Sequence, residues 1–222
     1  MAKIKLFNIK NEVKEYKSST IDLEKKLQNI IEANMEILFG VKFLATEYSI
    51  SHGRIDSIGI DENLCPVIFE YKRSMNENVI NQGLFYLDWL LDHRDSFKML
   101  LLNSKMSDII DKIDWENPRI ICIANDFTKY DQYAVNQMKH DISLVRYIKF
   151  EDDLLMFEHV NDNNIKNNTN SSNITKHNKN ESTQILSNLY EDIKNYILSL
   201  GDDVSENILK HYIAFRKLKN IV

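Results

Sequence analysis

The stretch that decides the fold is residues 53–73, GRIDSIGIDENLCPVIFEYKR. It contains two segments of strand character, RIDSIGID and CPVIFEYK, and the Asp-Glu-Asn cluster between them is typical of a turn. The stretch therefore predicts a β-hairpin. Strands of this kind usually place apolar side chains at inward positions, yet the first carries Asp56 and the second ends in Glu70 and Lys72. Charges at such positions need either water or a function.

The acidic residues of this hairpin are spaced so that they can act together. Side chains alternate across a strand, so Glu70 and Lys72 project to one face, with Ile68 behind them in the core. Asp56 comes fourteen residues before Glu70, in the preceding strand. If the strands pair, both carboxylates meet at one end of the sheet, where they repel each other unless a proton or a cation neutralises them.

Mg²⁺, or Mn²⁺ in its place, is the cation that this pair of carboxylates predicts. Mg²⁺ accepts one or two protein carboxylates and fills its other positions with water and substrate phosphate. Such an ion activates water and stabilises the charge that develops on a phosphodiester. We therefore predict that Asp56 and Glu70 are metal ligands, and that Lys72 orients or deprotonates the attacking water and offsets charge on the phosphate.

The rest of the first 160 residues predicts helices and strands around the hairpin. Residues 18–40 have an apolar helical face, a capping-box pattern at Ser19 and Asp22, and a stop signal at Gly40. The other predicted elements are strands at 41–50, 119–124, 144–150 and 154–160, and helices at 77–93, 96–113 and 130–140. This order predicts an α/β fold with a mixed central β-sheet flanked by helices.

The composition of the chain changes after residue 160. Residues 161–182 are rich in asparagine and almost without apolar side chains, which predicts a linker between two domains. Residues 1–160 form the predicted main domain. Residues 183–222 recover helical periodicity but are too few for an independent core, so we expect them to be a helical fragment of a truncated C-terminal domain.

Charge and composition exclude some classes of function. The net charge of −5 argues against general binding to polyanions, although a bound Mg²⁺ adds positive charge where a phosphate lies. No run of residues approaches the roughly 18 apolar positions of a membrane span, so we expect no membrane partner and no transport by this chain alone. Cys65 and Cys122 stand in apolar surroundings without metal-ligand spacing, which favours reduced thiols and a cytoplasmic location.

The acidic hairpin and its flanking helices resemble the PD-(D/E)XK nuclease superfamily, whose fold is restriction-endonuclease-like. In particular, GRID, VIFEYKR and NQGLFYLDWL are similar to the nuclease module of NucS-type endonucleases. The run from the first helix through WENPRIICIANDFTKYD to LVRYIKF resembles a bacterial family described as "predicted transport protein", whose members join such a module to a C-terminal domain of unknown function. The resemblance implies an Mg²⁺-dependent endonuclease acting on a nucleic acid, with DNA favoured, in repair or defence. Many nucleases of the superfamily dimerise to cut both strands, so the resemblance also implies a homodimer.

The resemblance assigns further residues to the site. Asp56, Glu70 and Lys72 match the metal ligands and the catalytic lysine of the superfamily, although Ile55 stands where its motif has a proline. The glutamate of the first helix has three candidates, Glu24, Glu32 and Glu36. Glu24 sits about 100° from Leu23 around the helix, at the edge of the apolar stripe, whereas we expect Glu32 and Glu36 to face solvent. Glu24 is therefore our candidate.

Three polar residues near the motif complete the predicted site. Gln82 lies at the edge of the apolar face of the second helix, where a side chain can bind phosphate or a metal-bound water. Arg54 and Arg73 are either phosphate contacts or simple exposed charges. Two hypotheses for the whole protein follow. The first is a metal-dependent nuclease, and the second is a catalytically silent module that binds nucleic acid or regulates a partner.

Overall fold

The structure, a computed structural model, describes residues 4–10, 12–21, 24–72, 78–151, 154–160, 181–201, 204–208 and 212–221. It divides the chain into two compact units, Met1–Asn161 and Asp162–Val222. The strands of the first unit are β1 (Leu6–Asn8), β2 (Lys14–Tyr16), β3 (Ser18–Ser19), β4 (Val41–Ile50), β5 (Gly53–Asp61), β6 (Pro66–Lys72), β7 (Arg119–Ala124), β8 (Asp141–Phe150) and β9 (Leu154–His159).

The helices of the first unit lie between these strands. They are α1 (Glu24–Ala33), α2 (Met35–Phe39), α3 (Val79–Asp92), α4 (Arg94–Asn103), a 3₁₀ helix at Ser107–Lys112, and α5 (Lys129–Gln137). None of the helices in the described part of the chain is long and apolar enough to cross a membrane.

A mixed sheet of seven strands forms the centre of the first unit. Its order is β3-β8-β7-β6-β5-β4, and β9 pairs with β8. Strands β4, β5 and β6 are antiparallel neighbours, whereas β6, β7 and β8 run parallel. The parallel pair β6 and β7 requires a crossover, and α3 and α4 supply it. The predicted α/β fold with a mixed central sheet flanked by helices is therefore confirmed.

Helices cover both faces of this sheet. Ile68 and Phe69 are neighbours in β6, so their side chains point to opposite faces. Ile68 belongs to the same buried cluster as Leu87 of α3. Phe69 contacts Phe39 of α2 edge to face, with ring centroids 5.4 Å apart. The strand β6 is thus buried on both sides, which matches its nearly continuous apolar run.

The first helical segment differs from its prediction at its start and in its middle. Ser19, the predicted cap, lies in β3 opposite Lys149, and Asp22 lies outside the described residues. The helix is interrupted at Asn34, whose side chain amide donates to the carbonyl of Ile30; such local bonds compete with the helix. Its predicted end at Gly40 is confirmed, because this glycine adopts a left-handed conformation with φ 65°.

Two other parts of the first unit differ from the sequence prediction. The predicted helix at 96–113 divides into α4 and the 3₁₀ helix, because the chain turns at Lys105 with φ 59°. The antiparallel pair of β1 and β2 was not predicted. Three-residue strands give too short a pattern to separate from loop sequence.

The second unit contains more than the predicted helical fragment. Its elements are α6 (Glu181–Leu198) and an antiparallel pair, β10 (Ser205–Ile208) and β11 (Ile213–Arg216). Ile197, Val204 and Phe215 form its small core. The prediction missed the strand pair because SENI and IAFR lack clear alternation of polar and apolar residues. The predicted linker at 161–182 lies outside the described residues up to residue 180.

A buried ion pair holds the turn end of the β5–β6 hairpin. Asp61 accepts hydrogen bonds from the backbone N–H groups of Asn63 and Cys65, both at 2.9 Å. Its other carboxylate oxygen lies 3.0 Å from a guanidinium nitrogen of Arg119, the first residue of β7. Both side chains are buried. The pair therefore joins the hairpin turn to the neighbouring strand.

We expect Asp61→Ala to lower the free energy of unfolding by about 3–5 kcal/mol, because it leaves the Arg119 charge buried without this partner. Asp95→Ala is the matched control, since Asp95 forms an exposed pair with Lys98 and such pairs contribute about 0–1 kcal/mol. Urea unfolding followed by circular dichroism measures both. Equal effects of the two substitutions would contradict a structural role for the Asp61–Arg119 pair.

Candidate active site

The candidate site lies where β5 and β6 separate. Main-chain pairing between them runs from Ile60↔Pro66 to Ser57↔Phe69 and ends there. Beyond this point β5 continues beside β4, and β6 continues beside β7. The next pair in the same register is Asp56 and Glu70. The separation thus opens a gap in the sheet at these two acidic residues.

The two carboxyl groups replace the missing main-chain pairing. The backbone N–H of Asp56 donates to Oε1 of Glu70 at 3.3 Å. The backbone N–H of Tyr71 donates to Oδ2 of Asp56 at 3.1 Å. Each side chain therefore satisfies an N–H group of the opposite strand, as buried N–H groups require. The two carboxyl groups therefore lie close together where the β5–β6 pairing ends, as the sequence predicts.

Burial and mutual repulsion make this carboxyl pair hold a proton. Glu70 is 1% exposed, and burial together with the Asp56 charge raises its pKa from 4.5 to about 9. Burial also raises the pKa of Asp56, against the opposing effects of the Tyr71 N–H and the Lys72 charge. Neither carboxyl can ionise freely beside the other. A cation in the gap would take the place of that proton.

Lys72 and Glu24 form an ion pair next to the carboxyls. Lys72 is the last residue of β6, and its side chain is only 13% exposed. Its Nζ lies 3.8 Å from Oε1 of Glu24, the first residue of α1. Its positive charge lowers the pKa values of both Asp56 and Glu70. Four of the predicted residues, Asp56, Glu70, Lys72 and Glu24, are thus brought together.

Glu32 does not face solvent, and that part of the prediction is wrong. Its Oε1 accepts from Oγ of Ser57 at 2.6 Å and from Nε2 of Gln28 at 2.9 Å. Glu36 is exposed, as expected. Gln28, Ser57 and Tyr71 were not among the predicted site residues. One signal was available: Glu24, Gln28 and Glu32 recur every four residues, which places three polar side chains along one line of α1.

The remaining predicted residues lie at the margin of the site or outside the described chain. Gln82 is exposed in the first turns of α3. Arg54 is exposed and pairs with Glu47 at 2.8 Å. Glu47 also pairs with Lys25 at 2.7 Å, and the hydrogen bond from Lys25 is the main cause of its lowered pKa. Arg73 lies outside the described residues.

The donor set fits a magnesium or manganese ion. Among the described residues, no three His, Cys, Asp or Glu side chains converge on one point. Mg²⁺ does not need three, because it commonly takes one or two carboxylates and keeps water or phosphate in its other positions. Asp56 and Glu70 supply two hard oxygen donors, and the pKa values of both are raised. Nitrogen and sulfur ligands, which other metals prefer, are not part of this group.

We expect the metal-free protein to lose stability as the pH rises, because of Glu70. Above pH 4.5 the unfolded chain releases the Glu70 proton, whereas the folded protein keeps it until about pH 9. Folding then requires proton uptake, so the free energy of unfolding falls through this window. Glu70→Gln removes the ionisation and should raise the free energy of unfolding at pH 8 by about 1.4 kcal/mol or more, equivalent to one pKa unit.

Urea unfolding between pH 5 and 9 in the presence of EDTA measures this difference. The gap between Glu70→Gln and the parent protein should widen with pH. Asp108→Asn, an exposed carboxylate of the 3₁₀ helix, is the control and should follow the parent at every pH. A difference between the parent and Glu70→Gln that stays constant from pH 5 to 9 would instead show that Glu70 is already ionised in the folded state.

Several solved structures are similar to part of this chain. A repair endonuclease from Pyrococcus abyssi is 22% identical, with 58% of this chain and 49% of that chain covered and a TM-score of 0.41. A complex of EndoMS with double-stranded DNA is 21% identical over 58% of this chain and 47% of that chain, with a TM-score of 0.34. SfsA of Pyrococcus furiosus, in complex with Ca²⁺, is 12% identical over 62% and 64% of the two chains, with a TM-score of 0.35. The chain spans about half the length of the two endonuclease chains.

Sequence comparison identifies one curated relative and no family model. No protein-family model matches the chain, so the resemblance to the "predicted transport protein" family gains no support. A Haemophilus influenzae protein described as uncharacterized is 31% identical over 231 residues, which cover 96% of this chain and 76% of that protein. This likeness extends over both units. The chain belongs to the same family as this Haemophilus influenzae protein.

Proposed function

We propose that the protein is a metal-dependent nuclease that hydrolyses phosphodiester bonds, with DNA as its substrate. The observation that supports this proposal most is the gap between β5 and β6, which is filled by the carboxyls of Asp56 and Glu70. A buried acidic pair is costly to a folded protein unless it binds a cation. The adjoining lysine adds the group that hydrolysis at a phosphate needs beside the cation.

In this proposal Asp56 and Glu70 hold Mg²⁺ or Mn²⁺ at the gap. When bound, the ion lowers the pKa of a water and offsets the negative charge of the phosphate. Binding the ion would require Glu70 to release the proton that its raised pKa favours. The hydrogen bonds from the Asp56 and Tyr71 N–H groups keep both carboxyls in the gap.

Lys72 orients the attacking water and donates to a phosphate oxygen. Its nearly buried position leaves the ammonium little freedom, and Glu24 limits it further through their ion pair. An ammonium that is already in place stabilises charge in the transition state without reorganisation. Glu24 is therefore a supporting residue that acts through Lys72. Gln82, from α3, supports the site by binding the phosphate or a metal-bound water. The resemblance to NucS-type endonucleases favours DNA repair, or defence against foreign DNA, as the setting.

We expect Asp56→Asn, Glu70→Gln and Lys72→Met each to reduce cleavage by at least about a hundredfold, since the ion and its neighbouring charge contribute several kcal/mol. The two amide variants keep the size of the side chain and its capacity to accept the N–H groups. Cleavage of supercoiled plasmid and of single- and double-stranded oligonucleotides in Mg²⁺ or Mn²⁺ measures the effect. RNA oligonucleotides in the same series test the preference for DNA.

Asp108→Asn and Lys112→Met are the matched controls for these variants. Both residues are exposed in the 3₁₀ helix. That helix leads to Asp114, whose N–H donates to Leu64 in the β5–β6 turn, at the end of the hairpin opposite the gap. The nuclease hypothesis fails if the three site variants cleave as the parent does. Binding of nucleic acid without cleavage by the parent would instead support the silent binding module.

We also expect Arg54 to contact a phosphate when nucleic acid binds. Its side chain is 58% exposed and its charge acts on Asp56, so it lies at the rim of the gap. Arg54→Ala should weaken binding at every sequence and reduce the salt dependence of affinity by about one counterion. Titrations in the Glu70→Gln background at two salt concentrations measure both. Arg94→Ala on α4 is the control, and an unchanged salt slope for Arg54→Ala would make Arg54 a simple surface charge.

A further inference from the structure

A buried polar cluster lies between α1 and the point where β5 and β6 separate. It consists of Gln28 and Glu32 from α1, Ser57 from β5 and Tyr71 from β6. Gln28 is 4% exposed, and Ser57 and Tyr71 are fully buried. Polar groups at such positions need partners, and here they find them in one another. The nuclease mechanism proposed above uses the main-chain N–H of Tyr71 but none of the side chains of this cluster.

The hydrogen bonds of the cluster have a defined direction. A carboxylate has no proton to give, so Ser57 Oγ donates to Glu32 Oε1 at 2.6 Å. Ser57 has a single hydroxyl proton, and Tyr71 Oη, 3.1 Å away, must therefore donate to Ser57. Burial raises the pKa of Tyr71 well above its usual value, which keeps its phenol protonated. Glu32 is thus the acceptor at the end of a chain that begins in β6.

Gln28 joins the same acceptor to β5. Its Nε2 donates to Glu32 Oε1 at 2.9 Å and to the main-chain carbonyl of Asp56 at 2.8 Å. Thr46 Oγ1 of β4 lies 3.2 Å from the same nitrogen. Lys25 Nζ donates to the amide oxygen, which fixes the orientation of the amide. One helix therefore contacts the main chain of Asp56 directly.

The cluster contacts both Asp56 and Tyr71, the two residues whose N–H groups donate to the carboxyl pair. The Gln28 side chain donates to the main-chain carbonyl of Asp56. The Tyr71 phenol contacts Ser57, while the Tyr71 N–H donates to the Asp56 carboxyl. Ser57 is also the residue nearest the gap at which β5 has a main-chain partner in β6. The cluster therefore connects α1 to both strands beside the gap.

We infer that Glu32 is a positioning residue that sets the separation of β5 and β6, and with it the spacing of the Asp56 and Glu70 carboxyls. The effect of Glu32 on catalysis rests on the proposed function, whereas its effect on the strand separation does not. A buried polar cluster contributes little net stability, since apolar groups of the same shape often replace both partners without loss. Its value is a defined geometry, because each hydrogen bond of the cluster fixes a distance between α1, β5 and β6.

Positioning and direct participation make different demands on Glu32. Positioning requires an acceptor at Oε1, and a glutamine at residue 32 still provides one to Ser57 and Gln28. A direct role for the charge, at the metal or the phosphate, is lost in glutamine as in alanine. Glu32→Gln should therefore rescue what Glu32→Ala loses. Ser57→Ala breaks the chain at its next link and should add nothing to Glu32→Ala in the double variant.

The experiment measures amide hydrogen exchange of Asp56 and Tyr71 by NMR in EDTA, without metal or nucleic acid. We expect Glu32→Ala and Ser57→Ala to lower the protection of these two amides by about tenfold, the loss expected for one or two hydrogen bonds. Glu32→Gln should stay within about threefold of the parent. Amides of β7, such as Cys122, should keep their protection. Glu36→Ala, on the exposed side of α2, is the control.

A calorimetric Mn²⁺ titration of the same variants adds the second measurement. We expect Glu32→Gln to bind Mn²⁺ nearly as tightly as the parent. Glu32→Ala and Ser57→Ala, as single variants, should each bind it about tenfold more weakly than the parent. Unchanged protection of Asp56 and Tyr71 in Ser57→Ala and in Tyr71→Phe, the two milder variants, would overturn the inference even if Glu32→Ala does not fold. Equal losses in Glu32→Gln and Glu32→Ala would overturn it too. If the parent neither binds Mn²⁺ nor cleaves, the proposed function fails, and the exchange measurements still decide the role of Glu32.

Discussion

The separation of β5 from β6 after Ser57↔Phe69 is the constraint on which the candidate site depends. Main-chain pairing between the strands stops at Ser57↔Phe69, so it does not reach the N–H groups of Asp56 and Tyr71. Because they separate, Asp56 and Glu70 must supply those acceptors from their side chains. The carboxyls are thereby drawn into a buried gap, where their pKa values rise. The separation of the two strands and the raised pKa values of the two carboxyls therefore have one cause.

The hairpin is closed at one end and open at the other, and the two ends use charge in opposite ways. At the turn, Asp61 and Arg119 are buried together and compensate each other. At the gap, two acidic groups are buried side by side and the pKa values of both rise, an effect that the Lys72 charge opposes only in part. A protein commonly tolerates such a conflict where function requires it, while the surrounding structure supplies the stability. The ion pair at the turn anchors β5 and β6 near β7, so that their other ends can separate without loosening the sheet.

The sequence alone predicted the sheet strands of the hairpin and the meeting of Asp56 with Glu70, because alternation and spacing are local properties of a strand pair. It did not predict the gap itself, since separation of strands depends on neighbours from β4 and β7. It placed Glu32 in solvent because a helical projection shows only which face is apolar. That reasoning assumes that the surface beneath a helix is apolar, and Ser57 and Thr46 make it polar here.

Helix α1 packs against both an apolar and a polar part of the sheet. Leu27 and Ile31 are buried, and the positions that follow each of them, Gln28 and Glu32, hydrogen-bond to the sheet. Positions one residue apart differ by about 100° around a helix, so the apolar and polar lines run side by side. The polar line begins at Glu24, which pairs with Lys72. A single helix therefore touches the lysine at its first turn and the main chain of Asp56 one turn later, and a shift of α1 would move the ammonium and the carboxyl pair together.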